Sequence, residues 1–408
     1  MPDTFDSRFT GLFTRIGPLA RRAHDPALAL HAAQAAAWRD DLAPVDGGGV
    51  GWDDAAAEAA AVGEAVERLQ AYPLPQDHVV EASFADWPLD EPAIGPGRWV
   101  LFHEEQYRQA GFPYRPFEPT TRCRWTCCRQ VLTGEPMWVP ADLVYLHPPR
   151  GQTQTLCPGL STGLASGRAG DPVVLRGLQE VIERDAVVGM WWGRYPLCEI
   201  HPERVWTLLG TRADDVRRPN LRWRFLRIAS PFSDHVTLAT LEGEDREGPL
   251  FSIGSACRET WSASITKSLL EAVHGRHYVR WLKQQHQAGR FVMGEIPRTF
   301  AEHAAYDSVG PRQQNTPLTA AKIISDDGNR DRVESLADMI ERLGPERPEL
   351  VRNMTAPALV GLGWQVARVV VPGLQPLHGH HQLAHLGGPL WHPRGLGEYA
   401  AMPSHPFP

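Results

Sequence analysis

The sequence contains no hydrophobic run approaching the ~18 apolar residues of a membrane span, which excludes a helical membrane protein. It has no basic-then-apolar N-terminal pattern. Asp3 and Asp6 stand where a signal peptide would carry lysine or arginine, so a cytoplasmic protein is expected. Positive charge is not in excess: 41 Lys and Arg against 48 Asp and Glu leave a net charge of −7, unlike a general nucleic-acid binder. Cysteine is scarce, with six in 408 residues, too few for a disulfide scaffold. Cys123, Cys127 and Cys128 cluster, yet they lack the paired C-x-x-C of common zinc sites. Reduced, partly buried thiols are the expectation, with zinc held by these three and Cys157 as the alternative. The phosphate loop G-x-x-x-x-G-K-[ST] is also missing, and Gly163-Leu-Ala-Ser-Gly167 is too generic for a dinucleotide fingerprint. A phosphate site would have to be built from metal and arginine, with Arg168, Arg184 and Arg368 as candidates.

What is present is an acidic cassette that occurs twice. Gly-Glu-Ala-Val-Glu-Arg ends at Arg68, and Gln-Glu-Val-Ile-Glu-Arg-Asp ends at Asp185. Glu64 and Glu67 form one pair; Glu180 and Glu183 form the other. Residues three apart on a helix share a face, so each pair can aim two oxygens at one point. A lone pair of this kind is usually a solvated, salt-bridged helix face. Two matching copies, each flanked by apolar residues that pull the helix inward, point instead to hard cations and phosphates, because buried like charges need a cation to stay ionised. Their spacing of about 116 residues suggests an internal pseudo-duplication.

The hydrophobic content of 42% and charged content of 22% are those of an ordinary globular chain. An Ala-rich stretch from Pro26 to Trp38 reads as helix, within an N-terminal helical extension over 1–45. Asp46 to Gly51 reads as a glycine loop. Asp53 or Asp54 caps a helix running to about Tyr72. Strands are expected at Trp99–Phe102, Met137–Val139 and Leu143–Leu146. Leu160–Gly167 reads as a small-residue loop. Asp171-Pro172 then starts the helix of the second cassette, with Asp171 as its cap. Further strands are expected at Leu221–Ile228, His235–Leu241, Pro249–Ile253 and Gln365–Val371, and helices at Thr260–Gln287 and Arg332–Leu343. Residues 326–332 read as an exposed linker. Arg368 interrupts an apolar strand and needs a polar partner. Lys267, Glu271 and His274 read as an ordinary helix pairing. The histidines 378, 380, 381 and 385 read as surface or loop residues, and the end at Pro403–Pro408 as a loose terminus.

Taken in order, these segments resemble the YcaO family. Ala59 to Arg68 is similar to its first acidic motif. Ser161–Gly167 with Gly177–Asp185 is similar to its central signature, and Val366–Gly373 to its arginine-bearing strand. The end containing Pro403, Pro406 and Pro408 resembles the tail of members that make azoline rings. The resemblance implies an α/β YcaO-type fold with mixed sheets and packed helices, with an ATP-binding catalytic domain over 46–394 and a proline-rich tail over 395–408 that reaches the active site. It implies Mg2+ on Glu64, Glu67, Glu180 and Glu183, and ATP contacted by these together with Arg168, Arg184 and Arg368. It gives the tail, Pro408 with Pro406, a catalytic part, in which the terminal carboxylate, here that of Pro408, helps to move protons. The implied activity is an ATP-dependent cyclodehydratase that converts Cys, Ser or Thr of a precursor peptide to thiazoline or (methyl)oxazoline. Alternatives are thioamide or macroamidine formation, or a scaffold subunit of a peptide-modifying complex. Because the resemblance spans nearly the whole chain, a separate leader-peptide-binding partner is expected. A homodimer and a flavin dehydrogenase are further implied partners. The chain differs from common members at Val50, where lysine is frequent, at Arg168 and Asp171-Pro172, and at His274.

Overall fold

The computed structural model describes residues 11–36, 44–74, 77–146, 154–310, 313, 316–320, 324–325, 332–392 and 394–408. The expected region 326–332 lies outside these except for Arg332, as does Trp38.

Three sheets carry the chain. The first is antiparallel, in the order β1 (Phe13–Pro18), β2 (Ala29–Ala35), β3 (Val45–Gly51). The second joins β4 (Val79–Ala82), β5 (Cys123–Gln130), β13 (Leu350–Asn353), β14 (Trp364–Val370) and β7 (Leu164–Arg168) in that order, with β6 (Pro136–Pro140) also on β5. The third runs β11 (Gly248–Cys257), β10 (Val236–Asp245), β9 (Leu221–Ile228), β8 (Leu197–Ile200), β12 (Ile324–Ser325), and β12 pairs parallel to β8. The principal helices are α1 (Asp54–Leu69), α2 (Val173–Trp191), α3 (Trp261–Gln287) and α4 (Phe300–Val309). This is the expected α/β architecture of sheets and packed helices.

The first sheet corrects two expectations. The Ala-rich stretch is a strand, not a helix, because β1 and β3 pair with it on both edges and Ala33 and Ala35 enter the core beneath α1. Local alanine propensity favours helix, but two-sided pairing overrides it. Residues 46–51 belong to β3, not to a loop. Here glycine serves close approach: a Cβ on Gly49 would lie 2.1 Å from the Ala57 carbonyl oxygen, and one on Gly47 would lie 2.2 Å from that of Ala61. The facing side of α1 is equally smooth, with Ala57, Ala61 and Ala65 fully buried. Gly49→Ala is therefore expected to destabilise the fold by at least about 1–3 kcal/mol, read from urea melting; an unchanged midpoint would refute this packing.

Other differences are local. Trp99–Phe102 is not a strand; it follows a turn at Pro96–Arg98, and the Leu101 carbonyl accepts from Gly387 N–H (2.9 Å). Leu143–Leu146 forms a tight turn instead, with Val144 and Tyr145 N–H both donating to the Ala141 carbonyl (3.1 and 3.0 Å). The second half of the expected 160–167 loop is β7. Asp171 does not cap α2: its carboxylate accepts from Arg168 N–H (2.6 Å) and closes the turn between β7 and the helix. Asp53 does cap α1, accepting from Ala56 N–H (2.8 Å), and Thr260 caps α3. The helix expected at Arg332–Leu343 begins at Leu336, capped by Ser335.

The chain end is not loose. Phe407 is 1% exposed and its ring meets Trp191 edge-on, while Trp191 Nε1 donates to the Pro403 carbonyl (2.8 Å). The tail thus docks on α2, the helix of the second cassette. Trp191 lies eight residues beyond Glu183, or about 12 Å along the axis at 1.5 Å per residue.

Candidate functional site

β7 and the turn before it bring the two cassettes together. Ser166 N–H donates to Glu67 on α1 (2.9 Å), and Gly163 N–H donates to Glu180 on α2 (3.2 Å). Two backbone donors three residues apart thereby fix one carboxylate from each cassette. Gly163 has φ +86°, and a Cβ there would sit 2.1 Å from the Val369 carbonyl oxygen, so only glycine fits this turn.

The outer members of each pair are held separately. Glu64 accepts from Gly48 N–H (2.6 Å) and from Arg68 (2.5 Å). Glu183, 6% exposed, accepts from Ser255 Oγ (2.6 Å) and Cys257 N–H (3.2 Å) on β11. Sequence reasoning missed these backbone and hydroxyl donors. The small-residue segments around Gly48 and Gly163 carry their only local signal.

Charge in the site is unbalanced. Burial, then repulsion from Glu180 and Glu64, pushes the Glu67 carboxyl up to about 8 despite the Ser166 hydrogen bond. Glu180 is also raised, by burial first and by Glu183, with Arg184 and Arg368 pulling against it. Arg184 lies 3.7 Å from Glu180, a loose pairing. A divalent cation supplies what is missing, so these oxygen donors fit Mg2+. Among the described residues no three of these carboxylates come within 4.8 Å of one another, so they do not enclose a single ion unaided. Mg2+ commonly takes its remaining ligands from water and phosphate.

Arg368 finds the polar partners its strand position demanded. It is 5% exposed and donates to the carbonyls of Leu160 (2.7 Å) and Leu143 (3.3 Å). Burial lowers it to about 10, with Glu180 pulling the other way, so it stays cationic at neutral pH. It lines a cavity with Asp142, Leu160, Thr162 and Val181. Arg168 goes elsewhere: its guanidinium lies 4.1 Å over the Trp364 ring and donates to the Leu362 carbonyl (3.2 Å). Val50 is 6% exposed, in the apolar core beneath α3.

Lys267 and Glu271 on α3 pair as expected, but they border the site. Burial opposes ionisation of Glu271, yet Lys267 and then His274 bring its carboxyl down to about 2. His274 rests against Gly48, where a Cβ would lie 2.4 Å from Nε2. The same Gly48 holds Glu64.

Two further expectations change. Among the described residues the cysteines form no metal cluster, which removes the zinc alternative for them; all six are free, and burial raises Cys123 and Cys128 to about 12. Of the histidines at 378–385, His380 is half-buried, whereas the other three are loop or 3-10 residues that are not on the surface. His378, His381 and His385 are buried, at 2%, 9% and 1% exposure; His303 of α4 and Tyr399 flank the first two, and Phe102 stacks on His385. Pro406 is buried and Pro408 is exposed.

A family profile described as YcaO cyclodehydratase, ATP- and Mg2+-binding, matches residues 48–375. The chain belongs to the YcaO family. ATP and Mg2+ are accordingly the cofactors of its class, in keeping with the donor set above. No curated protein matches the chain. Among solved structures, a heterocyclase in complex with substrate and cofactor aligns with TM-score 0.69 at 18% identity over 91% of this chain; the YcaO chain spans about half of it (51%). YcaO from Methanopyrus kandleri, bound with AMPPCP and Mg2+, aligns with TM-score 0.56 at 19% identity over 89% of this chain and 86% of that one. The E. coli microcin synthetase McbBCD complex aligns with TM-score 0.62 at 13% identity over 96% of each chain. At these identities the likeness establishes a shared fold. No helix among the described residues is long and apolar enough to cross a membrane.

Proposed function

We propose that this chain is an ATP-dependent cyclodehydratase that converts Cys, Ser or Thr residues of a precursor peptide to thiazoline or (methyl)oxazoline rings. The observation that carries this is the convergence of Glu67 and Glu180 on backbone donors of one short segment, with a charge imbalance that calls for cations. Family membership agrees with it.

Glu64, Glu67, Glu180 and Glu183 would hold Mg2+, each already oriented by a donor from a neighbouring element. Arg368, fixed by two carbonyls at the cavity wall, would offer its guanidinium to a phosphate, with Arg184 as the second cation. Arg168, turned onto Trp364, would contribute at the rim. When bound, ATP would supply the phosphoryl group that turns the amide oxygen of the peptide into a leaving group, after the neighbouring side chain has attacked the carbonyl carbon. The terminal carboxylate of Pro408 would take part in moving protons, with Phe407 anchoring the tail, Pro406 included, on Trp191.

A neighbouring fold, the microcin synthetase complex, has been captured with pro-MccB17 bound, which favours a peptide substrate presented within a multi-protein assembly. A separate leader-binding partner, a homodimer and a flavin dehydrogenase that oxidises the rings complete the proposed assembly, and the proposed location is the cytoplasm. The test combines the chain, its leader-binding partner, Mg-ATP and a Cys- or Ser-rich precursor. The expected result is ATP-dependent loss of one water per ring in the peptide mass. No loss with a partner shown to bind the leader overturns the proposal.

A further inference from the structure

Three histidines far apart in sequence meet in the core: His303 on α4, His378 after β14, and His405 in the tail. Their exposures are 0%, 2% and 2%. A ring nitrogen from each lies within 4.8 Å of one on both others, and this is the one such group of three among the described residues. None of them belongs to the carboxylate site.

Their hydrogen bonds decide which nitrogens carry protons. His303 Nδ1 faces the His405 carbonyl (2.7 Å), and His405 Nε2 faces the His378 carbonyl (2.8 Å). A carbonyl only accepts, so both nitrogens are N–H donors. Tyr399 O–H donates to the His381 carbonyl (2.8 Å), which leaves its oxygen to accept from His378 Nε2 (3.0 Å). Burial, reinforced by the neighbouring histidines, keeps the rings neutral; His303 falls to about 3, and His378 and His405 lie well below the ordinary histidine value. A neutral imidazole carries one proton. The other nitrogens, His303 Nε2, His378 Nδ1 and His405 Nδ1, are therefore bare lone pairs, and all three are buried without a hydrogen-bond partner.

Three bare acceptors cannot satisfy one another. Each requires a donor or a Lewis acid. Each ring also has its opposite nitrogen anchored to a carbonyl or a phenol oxygen, the outer support that orients metal-binding histidines. Neutral, oriented imidazoles suit zinc-class ions and not Mg2+. His378 also lines a cavity with Thr299 and Phe300, and that cavity shares Pro158 and Leu160 with the one at Arg368.

We propose that His303, His378 and His405 form a binding site for one divalent transition-metal ion of the zinc class, which clips the C-terminal segment to the body of the protein. The fourth position would be left to water. His303 and His405 now stack with centroids 3.8 Å apart and planes 6° from parallel. Binding would tilt these rings apart, because ligation needs the ion in each ring plane.

The probe is Co2+ or Zn2+ alone, titrated into the full chain after chelator treatment. One equivalent of Co2+ is expected to give the intense visible bands of a low-coordinate nitrogen site, and Zn2+ should displace them. Hydrogen exchange of residues 404–407 should slow on loading. His378→Asn should lose the bands, whereas Glu67→Gln should keep them, which separates this site from the carboxylates. Wild-type chain that gives only weak octahedral Co2+ bands, or bands that persist in His378→Asn, overturns the proposal. The wild-type spectrum decides even if the variant fails to fold.

Discussion

Replacing Glu67 with glutamine is expected to abolish nucleotide-dependent ring formation while making the metal-free protein more stable at alkaline pH. The two effects have one cause. Glu67 is pushed up to about 8 by burial and by Glu180, from an ordinary value of 4.5. The folded state therefore keeps the full benefit of a protonated Glu67 below about pH 4.5, and loses it progressively as pH rises to about 8. Glutamine keeps the acceptor for Ser166 N–H and never ionises. In chelator, the urea midpoint of the wild type should fall between about pH 4.5 and 8 more steeply than that of Glu67→Gln. Mg-nucleotide should reverse the order: it should raise the wild-type melting temperature, release a proton on binding at neutral pH, and leave the variant nearly unchanged. The loss in turnover is expected to be at least about 100-fold, the scale of removing one electrostatic stabiliser from an enzyme site. Parallel pH dependences for the two proteins would sink this account of the carboxylates.

Removing Pro408 alone should separate chemistry from anchoring. Pro408 is exposed, so its loss is expected to shift stability by less than about 0.5 kcal/mol. Ring formation should nevertheless fall by about 100-fold or more, because the terminal carboxylate proposed to move protons is displaced by one residue, onto Phe407. Phe407→Ala should behave in the opposite way first. It empties a site that is 1% exposed against Trp191, and large-to-small changes of this kind cost about 3–5 kcal/mol. Full turnover by the protein lacking Pro408 would reduce the tail to an anchor. Deleting residues 406–408 together combines both losses and cannot distinguish them.

The parts legible in the sequence were those set by short-range periodicity. α1 and α2 follow from apolar spacing, and each helix fixes its own pair of glutamates at i and i+3. The strand carrying Arg368 was legible as an apolar run, and the demand for a partner on that arginine was met by two carbonyls. Lys267 and Glu271 paired as their spacing required, but nothing local revealed that His274 on the same face would press on Gly48 beside Glu64.

Where the sequence misled, a distant contact outweighed a local preference. Alanine at 29–35 prefers helix, but the edges of β1 and β3 satisfy its backbone on both sides. Glycines at 47–51 suggest a loop in isolation, and they form a strand because only hydrogen side chains admit α1 so closely. Proline and histidine at the chain end suggest a loose terminus, but Phe407 and His405 are buried against Trp191 and His303.

By itself, the sequence determined two acidic helix faces, the strands and the long helix that follow the second of them, and a cationic residue within a buried strand. Those properties depend on neighbours within a few positions. Only the tertiary structure decided that Glu67 and Glu180 face one another across residues 163–166, and that His303, His378 and His405 share one buried point. Both depend on sheet pairing and core packing between segments far apart in the chain. Burial at those meeting points, absent from any local segment, is also what shifts Glu67 and keeps the histidines neutral.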